Sequence, residues 1–163
     1  MPRPSTPRRA SSPPESDWLQ LDRQLCFALY ASSLAMTKLY KPLLEPLGLT
    51  YPQYLAMLVL WEQDGVAVSE LGRRLQLDSG TLTPLLKRLQ AAGLVQRLRD
   101  TADERRVLLR LTPAGRALRD AASAIPARVA AASGCSLSEL QSLTARLTAL
   151  REQVGAAPFP PVA

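Results

Sequence analysis

Histidine is absent from this 163-residue chain, and cysteine occurs only at Cys26 and Cys135. Without imidazole no His-dependent catalytic triad can form, and two distant thiols build neither a disulfide framework nor a tetrahedral zinc site. No metal and no cofactor is expected. Aromatic residues are scarce at 5%, so the 47% hydrophobic content rests on Leu and Ala, which favour helices over strands. A mainly α fold follows. Long apolar runs are also missing: nothing approaches the roughly 18 residues of a membrane span. The N-terminal stretch MPRPSTPRRASSPPES has no apolar core of the kind a secretory signal needs. These absences predict a cytoplasmic chain with no membrane partner.

What the chain does have is an uneven positive charge. The formal net charge is +6, from 20 Lys and Arg against 14 Asp and Glu. Between Ser69 and Arg116 there are ten basic residues and five acidic ones, which leaves a surplus of only one for the remainder. A basic segment in an otherwise neutral protein is the electrostatic footprint of nucleic-acid contact. Charge alone is equally compatible with a solvated face.

Residues 1–16 are rich in Pro, Ser and Arg and read as a flexible tail. Residues 17–50 begin with the capping-box spacing Asp17 to Gln20. Apolar residues then recur at helical intervals to about Tyr40, so one long helix is predicted, ending near Lys41-Pro42 or continuing kinked to Gly48. Residues 51–112 open with a second capping box, Thr50 to Gln53, and a helix through Trp61 that stops at Asp64-Gly65. Val66-Ala67-Val68 is too short for more than an edge strand. Ser69 is placed to cap a helix over 70–75, and Asp78 or Ser79 to cap one over 80–92, with Gly93 as its left-handed exit. Two short runs, 95–99 and 107–111, flank the polar turn 100–104 and predict a β-hairpin. Residues 113–154 should form a long helix starting at Thr112-Pro113, broken near Ser133-Gly134, and a last one starting at Ser136-x-x-Glu139 and reaching about Val154. Residues 155–163 should fray.

Two short helices followed by a basic hairpin is the order of a winged helix-turn-helix. In the second helix, Asp78, Ser79, Gly80, Thr81 and Thr83 put small side chains at the N-terminus, and Lys87 and Arg88 follow two turns later. Short side chains let a helix end approach base edges in a major groove while the basic pair reaches phosphate. On the plainer reading, Ser79 and Thr81 are only caps. In the hairpin, Arg97 adds a phosphate contact and Arg105 or Arg106 projects toward a minor groove, with Asp103 placed to hold the Arg105 guanidinium in a fixed fork. Such a pair is otherwise a surface salt bridge of little weight.

The segments LCFALYASS, KPLLEPLGLTYPQY and LDSGTLTP, with the hairpin residues DERRV, resemble the MarR family of winged-helix repressors over roughly residues 19–154. Within that family they resemble the organic-hydroperoxide-sensing OhrR subgroup of two-cysteine type. The resemblance implies a homodimer joined by its N- and C-terminal helices, binding double-stranded operator DNA with inverted-repeat symmetry. Residues 17–50 and 113–154 would then be dimerisation regions, the first also carrying the sensor, and 51–112 the DNA-binding region.

Cys26 sits in the first predicted helix, where a free cysteine is commonly a small buried hydrophobe. At 100° per residue, however, Tyr30, Ser33, Thr37 and Tyr40 all fall within about 40° of it and form a polar stripe. Tyr40 is about 21 Å further along the same helix, so it can meet only a partner subunit's Cys26. The resemblance implies that arrangement, with the sensing thiol bonded to two tyrosines across the interface, here Tyr40 and Tyr51. It also gives Cys135 the role of resolving thiol from the other subunit, where the alternative is an incidental loop thiol with small-molecule thiols resolving. Counted from Asp17, Cys26 is some nine residues into its helix, too deep for the macrodipole, which leaves Arg23 and the tyrosine hydroxyls to favour a thiolate and Asp22 to oppose it. The function expected is a redox-sensing repressor with organic hydroperoxide as inducer. A MarR-type repressor answering a phenolic ligand with Cys26 inert is the alternative, and a thiol peroxidase would leave the basic region without purpose.

Overall fold

The computed structural model describes residues 19–103 and 105–156. The chain divides into two compact units, residues 1–38 and 39–163. In the first, a 3-10 turn over Leu21–Arg23 is followed by Gln24 in an extended conformation, and only then does helix α1 (Leu25–Leu44) begin. The predicted helix therefore starts too early, and its proposed cap Asp17 lies outside the described residues. Leu21 and Leu25 are 59% and 56% exposed, so no buried face holds this first turn, and a turn without tertiary packing is marginal. Pro42 is carried inside α1, which is the longer of the two expected endings. A 3-10 turn over Glu45–Leu47 and Gly48 at φ +65° close it.

The second unit is organised around α2 (Tyr51–Glu62). Gln53 Oε1 accepts the Thr50 N–H at 2.8 Å and the Thr50 hydroxyl at 3.1 Å, so the expected cap is present. Tyr54, Ala56, Met57, Val59 and Leu60 are buried along it. The two-residue strand β1 (Val66–Ala67) runs straight into α3 (Val68–Leu75), and α4 (Ser79–Ala91) follows. Ser69 is not the cap of α3. Ala67, whose extended backbone ends the strand pairing, is also the residue before the helix, so Ser69 falls inside it. Strands β2 (Val95–Arg99) and β3 (Val107–Leu111) form the hairpin as predicted, with Arg97 opposite Leu109. β1 pairs with the other side of β3, giving the antiparallel order β1-β3-β2 with β1 at an edge. Leu71, Leu86, Leu89 and Leu109 are fully buried, each worth about 2 kcal/mol of apolar burial.

Thr112 caps α5 (Pro113–Ala122) through its hydroxyl, which accepts the Gly115 N–H at 3.0 Å. The long helix expected from here is interrupted earlier than Ser133: α5 stops at Ala122 and α6 spans Ile125–Ser133. The cause is Pro126 in the first turn of α6. A proline lacks the N–H that would bond Ala122 O, so the helical hydrogen-bond ladder is broken there. Ser123 closes α5 instead, its hydroxyl donating to Asp120 O at 2.7 Å. The last helix, α7 (Leu137–Ala156), starts at the predicted capping box, with Ser136 N–H donating to Glu139 Oε2 at 2.7 Å, and passes beyond Val154 into the stretch expected to fray. Among the described residues, no helix is long and apolar enough to cross a membrane, and no metal-binding cluster occurs.

Three elements are tied at one carboxylate. Asp64 Oδ1 accepts the N–H of Leu111 at 2.8 Å and of Gly65 at 2.9 Å, and Oδ2 pairs with Arg116 at 2.7 Å. Beside this joint, α5 presses on the root of the hairpin so closely that a Cβ on Gly115 would lie 2.1 Å from Leu94 O. Gly115→Ala should therefore cost about 2 kcal/mol or more, because backbone must move. Gly155→Ala, with nothing within 4 Å of the new methyl, should be neutral or slightly stabilising. Urea unfolding of the two variants checks this; equal midpoints would show that the α5 contact is loose.

Candidate functional site

The first candidate site is the face built by α3, α4 and the hairpin. Of the two caps considered for α4, the structure uses Asp78: Oδ1 accepts the Thr81 N–H at 2.8 Å, and Oδ2 the Thr81 hydroxyl at 3.3 Å. Those bonds hold the Asp78 carboxyl below its ordinary range. Gly80 leaves room for it, since a Cβ there would meet Asp78 Oδ1 at 3.1 Å. Leu82, Leu85, Leu86 and Leu89 bury one side of α4, while Ser79, Thr83 and Lys87 recur every four residues as an exposed stripe with Arg88 beside it. The opposition follows from helical periodicity: once the leucines are buried, the hydroxyl and basic residues must face water or a ligand.

The hairpin loop is closed by its own backbone. Asp100 N–H donates to Arg106 O at 2.9 Å, and Arg106 N–H to Asp103 O at 2.9 Å. Asp103 does not hold Arg105 in a fork. Its Oδ1 accepts the Arg105 backbone N–H at 3.1 Å and meets the guanidinium at a single 3.5 Å approach, and the Arg105 side chain is 94% exposed. A short carboxylate two residues before its partner is geometrically suited to the nearer N–H, so the carboxylate shapes the turn and the guanidinium projects. Arg106 approaches Asp100 at 3.6 Å.

Between α3, α4 and the hairpin lies a groove of about 460 Å³ lined by Ser69, Arg73, Ser79, Thr83, Arg97 and Arg105, among others. Arg97 contributes a shielded Nε with no hydrogen-bond partner among the described residues. Neither Ser69, read from sequence only as a helix cap, nor Arg73 was expected in this groove. Arg73 makes a paired contact with Glu70, at 2.9 and 2.6 Å, and helical spacing alone gives no sign that it also borders the groove.

The second candidate site is the thiol and its tyrosines. Cys26 is exposed and is the second residue of α1, so it lies in the first turn, not nine residues deep. The late helix start reverses the expectation about the macrodipole, whose positive end acts on that turn. Tyr30, one turn on, is 62% exposed. Tyr40 and Tyr51 belong to the second unit, where their ring centroids are 4.7 Å apart. Burial raises both phenols above their ordinary value, for Tyr40 with added repulsion from Tyr51 and Tyr54, so both stay protonated hydrogen-bond donors near neutrality. Tyr54 was overlooked: it stands 5.8 Å from Tyr40, and its signal was the i+3 spacing from Tyr51. Cys135 occupies the turn between α6 and α7, half-buried, with its N–H donating to Ser133 Oγ at 3.3 Å.

The chain as a whole resembles known proteins. The family described as transcriptional regulator SarA/Rot matches residues 38–122. The chain is 50% identical over 136 residues to the organic hydroperoxide resistance transcriptional regulator of Bacillus subtilis, covering 83% of this chain and 92% of that protein. It is also 50% identical over 136 residues to the regulator TtmR of Methylorubrum extorquens, covering 83% and 70%. Among solved structures, AbfR of Staphylococcus epidermidis superposes with a TM-score of 0.73 at 32% identity, covering 88% of this chain and 99% of that one. AbfR has been solved reduced on DNA, with a TM-score of 0.71 at 32% identity over 86% of this chain and 97% of that one. Its disulfide-formed structure gives 0.57 at 35% identity over 83% and 96%. These relatives are regulators and not enzymes, and the chain belongs with them to the SarA/Rot and MarR type of winged-helix, DNA-binding transcriptional regulators, close to the organic hydroperoxide resistance regulator of Bacillus.

Proposed function

We propose that the chain is a redox-sensing repressor: its reduced homodimer binds double-stranded operator DNA of inverted-repeat symmetry, and oxidation of Cys26 by an organic hydroperoxide releases it. The observation that carries this reading is the 50% identity, over 92% of its length, to a regulator named for organic hydroperoxide resistance. The exposed first-turn position of Cys26 and the close Tyr40–Tyr51 pair of phenol donors support it. So do the uncovered apolar residues of α1 and α7: Leu25 is 56% exposed, Leu143 48% and Leu147 45%, as expected of faces that a second copy covers.

In the chemistry proposed, the Cys26 thiolate attacks one peroxide oxygen. The O–O bond breaks, Cys26 becomes a sulfenic acid, and the hydroperoxide leaves as an alcohol after taking a proton. Cys135 of the other subunit then attacks the sulfenic sulfur, forming a disulfide and releasing water. On DNA, Ser79, Gly80, Thr81 and Thr83 face base edges in the major groove, Lys87, Arg88 and Arg97 hold phosphates, and Arg105 enters the minor groove.

Cys26→Ser tests the reading directly, because serine is nearly isosteric but does not reduce peroxide. The variant should stay on its operator in a gel shift at every hydroperoxide concentration that releases the parent. Release of the Cys26→Ser protein would replace this reading with a reversible-ligand repressor. Cys135→Ser should still oxidise but give no disulfide-linked dimer on a non-reducing gel, and a dimer band there would exclude Cys135 as resolver. Tyr40→Phe and Tyr51→Phe should slow thiol loss while reduced operator binding is kept; unchanged rates in both would remove the phenols from the chemistry. Finally, about eight basic contacts per dimer imply that log affinity falls with log salt at a slope of about −7. A slope shallower than about −3 would mean the basic face is not the one on DNA.

A further inference from the structure

The rings around Tyr40 do not end at the tyrosines. Tyr51, Tyr54 and Trp61 fall within about 80° of one another around α2 at 100° per residue. Tyr54 bridges them, 5.8 Å from Tyr40 on one side and 6.3 Å edge-on from Trp61 on the other. The Trp61 indole N–H then donates to Gly115 O, at 2.9 Å, in the first turn of α5. That turn has no slack against the hairpin. A Cβ at Gly115 would sit 2.1 Å from Leu94 O, and the Thr112 hydroxyl donates to Gly93 O at 2.6 Å. Leu94 is the residue immediately before β2. An unbroken series of contacts thus leads from the Tyr40–Tyr51 pair to the root of the basic hairpin.

We propose that Trp61 is a positioning residue that couples the Tyr40–Tyr51–Tyr54 cluster to the hairpin root through its hydrogen bond to Gly115. The proposal rests on the redox reading above. When the phenols change hydrogen-bond partner as Cys26 oxidises, closely packed rings pass on the displacement instead of absorbing it. The first turn of α5 and Leu94 then shift together because the contact between them is already at its limit. Reduced-state binding does not need this bond, since Asp64 still holds Leu111 and Arg116, and Thr112 still holds Gly93.

The test uses the full-length protein, tert-butyl hydroperoxide, and an operator duplex selected with the reduced parent. Trp61→Phe keeps an aromatic ring and removes the N–H. Its reduced-state Kd and its rate of Cys26 thiol loss should match the parent, while the ratio of oxidised to reduced Kd should fall about tenfold. A lost packing contact alone would alter the reduced Kd and leave that ratio in place. A second measurement covers the case in which Trp61→Phe does not fold: Trp18→Phe leaves Trp61 as the sole tryptophan, and its emission should change on oxidation and return with dithiothreitol. A parent-like ratio in Trp61→Phe, or Trp61 emission indifferent to oxidation, overturns the proposal. A parent that keeps its operator after oxidation overturns the redox reading and this coupling with it, so the parent arm separates the two failures.

Discussion

The arrangement of the second unit depends on the carboxylate of Asp64. It stands just past the end of α2, where Gly65, at φ +77°, turns the chain back into β1. From there it fixes the end of β3 through Leu111 N–H and the start of α5 through Arg116. Because β3 is the central strand, holding its last residue sets the register of both neighbours, and so the place from which the basic loop extends. An apolar side chain at Asp64 would leave a strand N–H unpaired in a partly buried position, a loss of about 1–3 kcal/mol. The ion pair to Arg116, whose side chain is 57% exposed, contributes less than that backbone bond.

From that joint the two sides of the α3–α4 and hairpin unit take their different characters. The leucines of α4, with Leu109 and Leu111 of β3, are buried in the core, whereas Ser79 and Thr83 at the intervening positions of α4 border the groove together with Arg73 and Arg97. One short helix thus supplies packing on one side and a groove wall on the other, and Gly80 and Asp78 at its start cap it without adding bulk.

Local chemistry was legible in the sequence and long-range geometry was not. Thr50 with Gln53, Thr112 with Pro113 and Ser136 with Glu139 each announced a helix start, because a cap needs only residues three apart. The hairpin was legible because its two runs alternate around a polar turn. The Asp64 joint was not, since its partners are 47 and 52 residues away. Pro126 carried a local signal that the strong Ala-rich periodicity masked. The position of Cys26 was misread because a plausible capping box at Asp17 set the helix start too early, and periodicity does not report where a helix lacks a packed face. Tyr40 beside Tyr51 was implied by resemblance, but Tyr54 and Trp61 gain their meaning only once α1, α2 and α5 are folded.

The groove is built from guanidinium groups and hydroxyls, and the chain holds no imidazole. Two acids beside its helices, Glu70 in α3 and Asp78 just before α4, are held below the ordinary carboxylate range by bonds to Arg73 and Thr81. Histidine, the side chain that ordinarily titrates between about pH 5 and 8, is absent from the chain, so no imidazole adds or removes charge on this face. A mild change of pH thus has no imidazole through which to alter the charge of this groove.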